Sequence, residues 1–303
     1  MLLWLLLAAG HVIAAGPGLD QPPPAGESFL PEALVLLAAL VAGWLVIRFR
    51  WAGLARSPRR PRLFPPEICL ALLLAMLVLG PVGARLAQHL FAITVVDDTG
   101  ARVALSLRDQ VRVMIGAYAC QAIVFVPYLW RLAHVRRPSG DSRAGRVWSA
   151  LIGLGGLLLV WPISAAFGGA AALLVQWITD RPPDPIAHET LRAILESPGD
   201  GWLVVMSALV VIATPVLEEL LYRGLLQEAL RGLGAGRWPA IAVTSVIFAA
   251  MHWQNTAPHA VLSLFVLSLG FGWAYERTGR LTASIVMHML FNLGNLWLAL
   301  LLA

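Results

Sequence analysis

The chain has 303 residues, of which 59% are hydrophobic and only 13% charged, with a formal net charge of +5. Soluble domains carry about 25% charged residues, so this composition excludes an ordinary soluble fold and defines an integral membrane protein. The basic excess is all arginine, since the sequence contains no lysine. The arginines gather in a few loops without interleaved aromatics, which argues for membrane orientation and against nucleic acid as a partner.

In chain order, MLLWLLLAAGHVIAAG comes first. It is short for a bilayer, which needs about 20 apolar residues, and it lacks a basic leading region. A signal-like segment ending near Ala15 and a short extra membrane helix are both compatible with it. A proline-rich linker runs on to residue 30. Eight apolar spans follow, at Pro31–Ile47, Pro66–Gly83, Val113–Trp130, Val147–Ile178, Trp202–Leu217 and onward, Trp238–Trp253, His259–Tyr275 and Leu281–Leu302. The expected fold is therefore an all-α, polytopic membrane helical bundle of about eight transmembrane helices, with the N-terminal segment a candidate ninth. The expected organisation is a leader and linker over 1–30, N-terminal membrane helices over 31–200 and a C-terminal unit over 201–303. The span from Val147 is long for one straight crossing, and Gly155, Gly156, Pro162, Gly168 and Gly169 offer kinks or close helix contacts.

Six arginines lie in Arg48–Arg62 and five in Arg131–Arg146. The positive-inside rule places both loops in the cytoplasm. Alternation then puts Arg85–Arg112 and Thr179–Asp200 outside, and Arg231–Arg237 and Glu276–Arg280 inside. The first external segment contains AITVVDDTGARVALSL, which reads as a small β-hairpin around Asp97-Asp98-Thr99-Gly100; the second reads as a short surface helix over Pro185–Glu196. Cys69 and Cys120 fall in apolar spans without metal-site spacing and read as packing residues.

Three polar intrusions interrupt the last hundred residues: EELLYR at Glu218–Arg223, FAAMH at Phe248–His252 and HMLFN at His288–Asn292. A charge at mid-membrane costs about 2.5–3.5 kcal/mol on insertion scales, and such residues read as functional by default. Glu219 and Arg223, Glu218 and Tyr222, and His288 and Asn292 are i, i+4 pairs, each sharing a helix face. In the last span the polar stripe extends over Ser284, His288, Asn292 and Asn295 and should face the protein interior. At 1.5 Å per residue, Glu218 lies about 21 Å from Gly232, His252 about 21 Å from Trp238, and His288 and Asn292 about 13 and 20 Å from Gly279. Four polar groups on three helices thus reach similar depths, which predicts one intramembrane site. His134 and His259 stand at loop edges and read as structural. His188 and Glu189 open HETLR, which lacks the second histidine of a zinc protease motif.

EExxxR, FxxxH and HxxxN in this order on successive membrane helices resemble the CPBP family of intramembrane proteases, which includes type II CAAX prenyl endopeptidases and bacteriocin-processing or self-immunity proteins. The resemblance covers about Trp202–Leu302, and Tyr222 stands where that family often has phenylalanine. It implies an endopeptidase in the cell membrane that cleaves a membrane-associated peptide or protein substrate. It also implies Glu218 as general base, His252 holding or polarising the water, His288 and Asn292 donating to the oxyanion, and the Glu219–Arg223 pair orienting Glu218. Two mechanisms remain open. One Glu and two His residues, Glu218, His252 and His288, could hold zinc with an open position for water; the same residues could work as a metal-free, glutamate-activated water, the version favoured because no further carboxylate completes a charge-neutralising ligand set. A non-catalytic scaffold or immunity protein of the same fold is a competing reading. So is a proton-coupled transporter, although no internal repeat supports it.

Overall fold

The computed structural model describes residues 30–50, 52–54, 63–96, 103–134, 143–181, 189–254 and 256–302. The N-terminal leader and most of the first arginine-rich loop lie outside these residues. The described residues form nine helical elements, denoted α1 (Leu30–Arg48), α2 (Pro66–Leu90), α3 (Leu107–His134), α4 (Arg143–Thr179), α5 (Glu189–Leu195), α6 (Trp202–Gly232), α7 (Arg237–Met251), α8 (Pro258–Thr278) and α9 (Leu281–Leu302). All eight predicted spans are helical. Six are long and apolar enough to cross a membrane, while Ala33–Arg48 and Arg237–Met251 are shorter apolar helices. The protein is a multi-pass, all-α membrane bundle.

Large apolar side chains point outward over most of the surface, among them Ile47, Leu173, Trp177 and Val204. Lipid is the solvent that such a surface fits. The interior is built around α4, α6, α8 and α9, with Leu157, Leu225, Phe271 and Met287 in one buried cluster. A second cluster, containing Val111, Ile194, Met206 and Leu296, closes the end of the bundle where α5 lies.

The long fourth span is one continuous helix of 37 residues that includes Pro162. Its glycines serve close approach: a Cβ on Gly153 would stand 2.3 Å from the Ala283 carbonyl oxygen of α9. Without that Cβ, α4 and α9 pack backbone to backbone, as small residues permit in membranes. At the other turn, Gly279 ends α8 in the left-handed region, φ 70°, and lets α9 reverse direction at once.

The two segments expected to be external are partly described. The turn of the expected β-hairpin lies outside the described residues; beside it, the Val103 N–H donates to the Val95 carbonyl at 2.9 Å, and no strand is formed among the described residues. The expected surface helix is present as α5, with Ile194 turned inward at 1% exposure.

The turns predicted to be cytoplasmic hold a buried ionic cluster rather than solvated charges. Glu276 is 2% exposed. It accepts from Gln227 Nε2 at 3.1 Å and pairs with Arg231 at 3.8 Å and Arg237 at 3.6 Å. Tyr275 donates to Glu228 at 3.0 Å beside it. Arg237 also donates to the Leu54 carbonyl. Glu276 therefore ties α6, α7 and α8 together at one end. Glu276 is a helical residue of α8, buried because two arginines and a glutamine satisfy it.

Candidate active site

The helix that carries EELLYR is not a uniform α-helix. Within α6, Leu209–Ala213 and Leu220–Gln227 are π-helical, and Thr214–Glu219 between them is α-helical. In an uninterrupted α-helix a residue four positions on lies about 40° further round the axis. The wider π turns counter that drift. Val210, Thr214, Glu218 and Tyr222 accordingly stay on one face and all line the same cavity. Such π segments are rare and often occur at functional sites.

Pro215 is the local cause of the first π segment's open carbonyl. The Thr214 N–H is spent on the Leu209 carbonyl, and Pro215 has no N–H to offer. The Val210 carbonyl instead accepts from Asn292 Nδ2 at 2.9 Å. One of the four predicted site groups is thus fastened to the backbone of the helix bearing the glutamates.

Glu218 is at the centre of the arrangement. Its Oε1 lies 3.7 Å from His252 Nε2 and its Oε2 lies 3.9 Å from His288 Nε2. Each imidazole is held at its other nitrogen. His252 Nδ1 donates to the Phe248 carbonyl at 2.7 Å, and His288 Nδ1 donates to Glu219 Oε1 at 3.0 Å. The rings are also packed: His288 stacks on Phe271 with centroids 4.6 Å apart, and His252 lies against Phe248 at 4.5 Å. Both Nε2 atoms therefore face the carboxylate in fixed orientations.

Glu219 and Arg223 are fully buried and paired at 3.0 Å. Arg223 Nη2 donates to the Ser268 carbonyl at 2.9 Å and to its hydroxyl at 2.6 Å. Its guanidinium lies 5.3 Å from the ring centres of both Phe248 and Phe271. The sequence expectation had this pair orient Glu218. In the structure Glu219 Oε1 bonds to Arg223 and to His288, so the pair reaches Glu218 through the His288 ring.

The cavity beside Glu218 has a volume of about 600 Å³ and is mainly apolar. His252, His288, Asn292 and Asn295 all border it. Its walls include residues that the sequence reading left aside. His259 is buried, in the first turn of α8, and lines the cavity; it stands at the loop edge, as expected, and its side chain also belongs to the wall. Tyr118 and Met114 enter from α3, and Thr190, Leu191 and Ile194 from α5. His134 is exposed at the end of α3, where its Nδ1 donates to the Trp130 carbonyl at 2.7 Å. His188 lies outside the described residues.

Zinc on Glu218, His252 and His288 can be weighed against the donor set. Among the described residues no group of three or more His, Cys, Asp or Glu side chains is gathered as a metal site requires. One carboxylate and two imidazole nitrogens are the donor types of a catalytic zinc site; the metal-free version instead has two carboxylates balanced by one guanidinium and one imidazolium.

The fold and this cluster define a class: a multi-pass membrane protein with a carboxylate, two histidines and a buried ion pair walled off beside an apolar cavity. Residues 200–294 match the family model described as type II CAAX prenyl endopeptidase Rce1-like. That segment is similar to the CAAX-type proteases, and it carries all six predicted site residues. The match spans less than half of the chain. No curated protein and no solved structure matches.

Proposed function

We propose that this protein is a cell-membrane endopeptidase that hydrolyses a peptide bond of a membrane-associated substrate with a water activated by Glu218. Residues 201–303 form its protease core and residues 31–200 the scaffold around it. The observation that carries the reading is the position of the Glu218 carboxylate between two histidine Nε2 atoms at the wall of a mainly apolar cavity.

Peptide hydrolysis needs a base, donors for the developing oxyanion and a proton for the leaving amine. Glu218 takes a proton from water as the oxygen attacks the carbonyl carbon, and returns it to the amine as the C–N bond breaks. His252, fixed by the Phe248 carbonyl, holds that water by its Nε2. His288, anchored through Nδ1 to Glu219, turns Nε2 toward the oxyanion, joined by the second amide hydrogen of Asn292. Arg223 and Glu219 are positioning residues that act through the His288 ring. The mainly apolar walls lower the local dielectric and strengthen each of these interactions.

The test uses purified full-length protein in lipid nanodiscs and a panel of quenched-fluorescence peptides, some bearing a prenylated cysteine and some anchored by an apolar helix. The wild type should cleave at least one of them, and Glu218→Gln should abolish cleavage while keeping the thermal transition. Equal turnover in Glu218→Gln removes Glu218 from the mechanism.

A further inference from the structure

Tyr118 lies on α3, about eighty residues before the family segment begins, yet its phenol enters the site. The Tyr118 hydroxyl is 2.6 Å from Thr214 Oγ1. Both residues line the cavity that Glu218 borders. Thr214 stands one turn before Glu218 on the same face of α6, and the phenol is close enough to interact electrostatically with the Glu218 carboxylate. A hydroxyl pair has two O–H hydrogens, and their mutual bond uses one. Whichever oxygen accepts keeps its own hydrogen for a third group. Along α6 this leftover donor lies between Val210, where Asn292 is anchored, and Glu218.

We propose that the Tyr118–Thr214 pair donates this hydrogen to the scissile carbonyl oxygen of the substrate, so that α3 completes the active site. The inference rests on the peptidase reading above. A water held by Glu218 attacks a carbonyl carbon about one van der Waals contact away, and the carbonyl oxygen then falls within reach of a hydroxyl one turn along the same helix face. The bond strengthens as that oxygen becomes negative, which makes the Tyr118–Thr214 pair catalytic rather than mere packing. A phenol suits the place because its ring can reach across from α3 while its hydroxyl supplies the donor.

The experiment measures kcat and KM for Tyr118→Phe, Thr214→Val, Thr214→Ser and the Tyr118→Phe/Thr214→Val double variant on the best-cleaved peptide of the panel, with the thermal transition recorded for each. Loss of one oxyanion donor typically lowers kcat by about 10²–10³. Tyr118→Phe is expected to lose about 10² in kcat with KM within a few-fold of wild type. Thr214→Ser, which keeps a hydroxyl, should retain most activity. The double variant should be no worse than the poorer single one, because the two hydroxyls act as a unit. Cleavage by Tyr118→Phe within threefold of wild-type kcat, or a change confined to KM or to the thermal transition, overturns the inference and leaves the peptidase reading standing. A Tyr118→Phe protein too unstable to assay shifts the decision to Thr214→Val against Thr214→Ser: equal kcat in those two likewise overturns it. A wild type that cleaves no peptide defeats both readings together.

Discussion

Asn292 donates its side-chain amide to the Val210 carbonyl at 2.9 Å, and Val210 is the residue whose carbonyl Pro215 leaves without a backbone partner. A buried carbonyl stripped of its partner costs about 1–3 kcal/mol. Asn292→Ala should therefore lower stability by that amount in addition to reducing cleavage. Pro215→Ala restores an N–H at the turn, so the double variant Asn292→Ala/Pro215→Ala should recover part of the lost stability without recovering activity. Thermal unfolding in detergent reads the first effect and peptide cleavage the second. Strict additivity of the two substitutions would sink this account of the π segment.

Glu219 is, among the described residues, the sole carboxylate bonded to the guanidinium of fully buried Arg223. Removing one partner of a buried ion pair costs about 3–5 kcal/mol because the other charge is stranded. Glu219→Gln should thus be strongly destabilising and should also slow turnover, since His288 loses its anchor. Replacing Arg223 by Met in the same background removes the stranded charge. The pair variant should regain much of the stability while staying slow. A Glu219→Gln protein as stable as wild type would contradict the buried-pair description.

The charge count of the cluster bears on metal. In the metal-free mechanism, purified protein should carry well under one equivalent of zinc by mass spectrometry, and chelators should leave cleavage intact. His288→Ala should lose about 10²–10³ in turnover, the usual cost of an oxyanion donor. Stoichiometric zinc whose removal stops cleavage and whose return restores it would replace the metal-free mechanism with a metal-assisted one on the same residues.

Orientation is tested at Leu233, which is 63% exposed in the turn between α6 and α7. In a background lacking Cys69 and Cys120, Leu233→Cys should react only with thiol reagents that reach the cytoplasmic face. Labelling of intact cells by an impermeant reagent would invert the topology.

Much of the fold was legible because the bilayer imposes one simple requirement. Every backbone group in lipid must bond internally, so long apolar spans must be helices, and all eight are. The core of the site was legible for a related reason: charges are costly in lipid, so polar groups well inside three neighbouring spans call for one another, and Glu218, His252 and His288 do meet. What stayed hidden was whatever carries no such penalty. Tyr118 is an ordinary residue in an apolar span, and its role depends on which helix faces α6. The π segments alter hydrogen-bond register without altering composition; Pro215 was their only trace. Glu276 and His259 sit near turns, and only packing shows that they are enclosed. The Glu219–Arg223 pair was visible as i, i+4, but its link to His288 needed the position of a helix some seventy residues later.

The Glu276 cluster has a mechanical consequence. Gln227, Arg231 and Arg237 fasten α6, α7 and α8 to one buried carboxylate, and splaying these helices there would expose uncompensated charge. The helices that hold Glu218, His252 and the cavity wall are therefore pinned at that end. At the opposite end the cavity is walled by the seven-residue α5, with Leu191 and Ile194 packed in an apolar cluster. The two ends of the bundle are thus held by different physics, buried charge at one and apolar packing at the other.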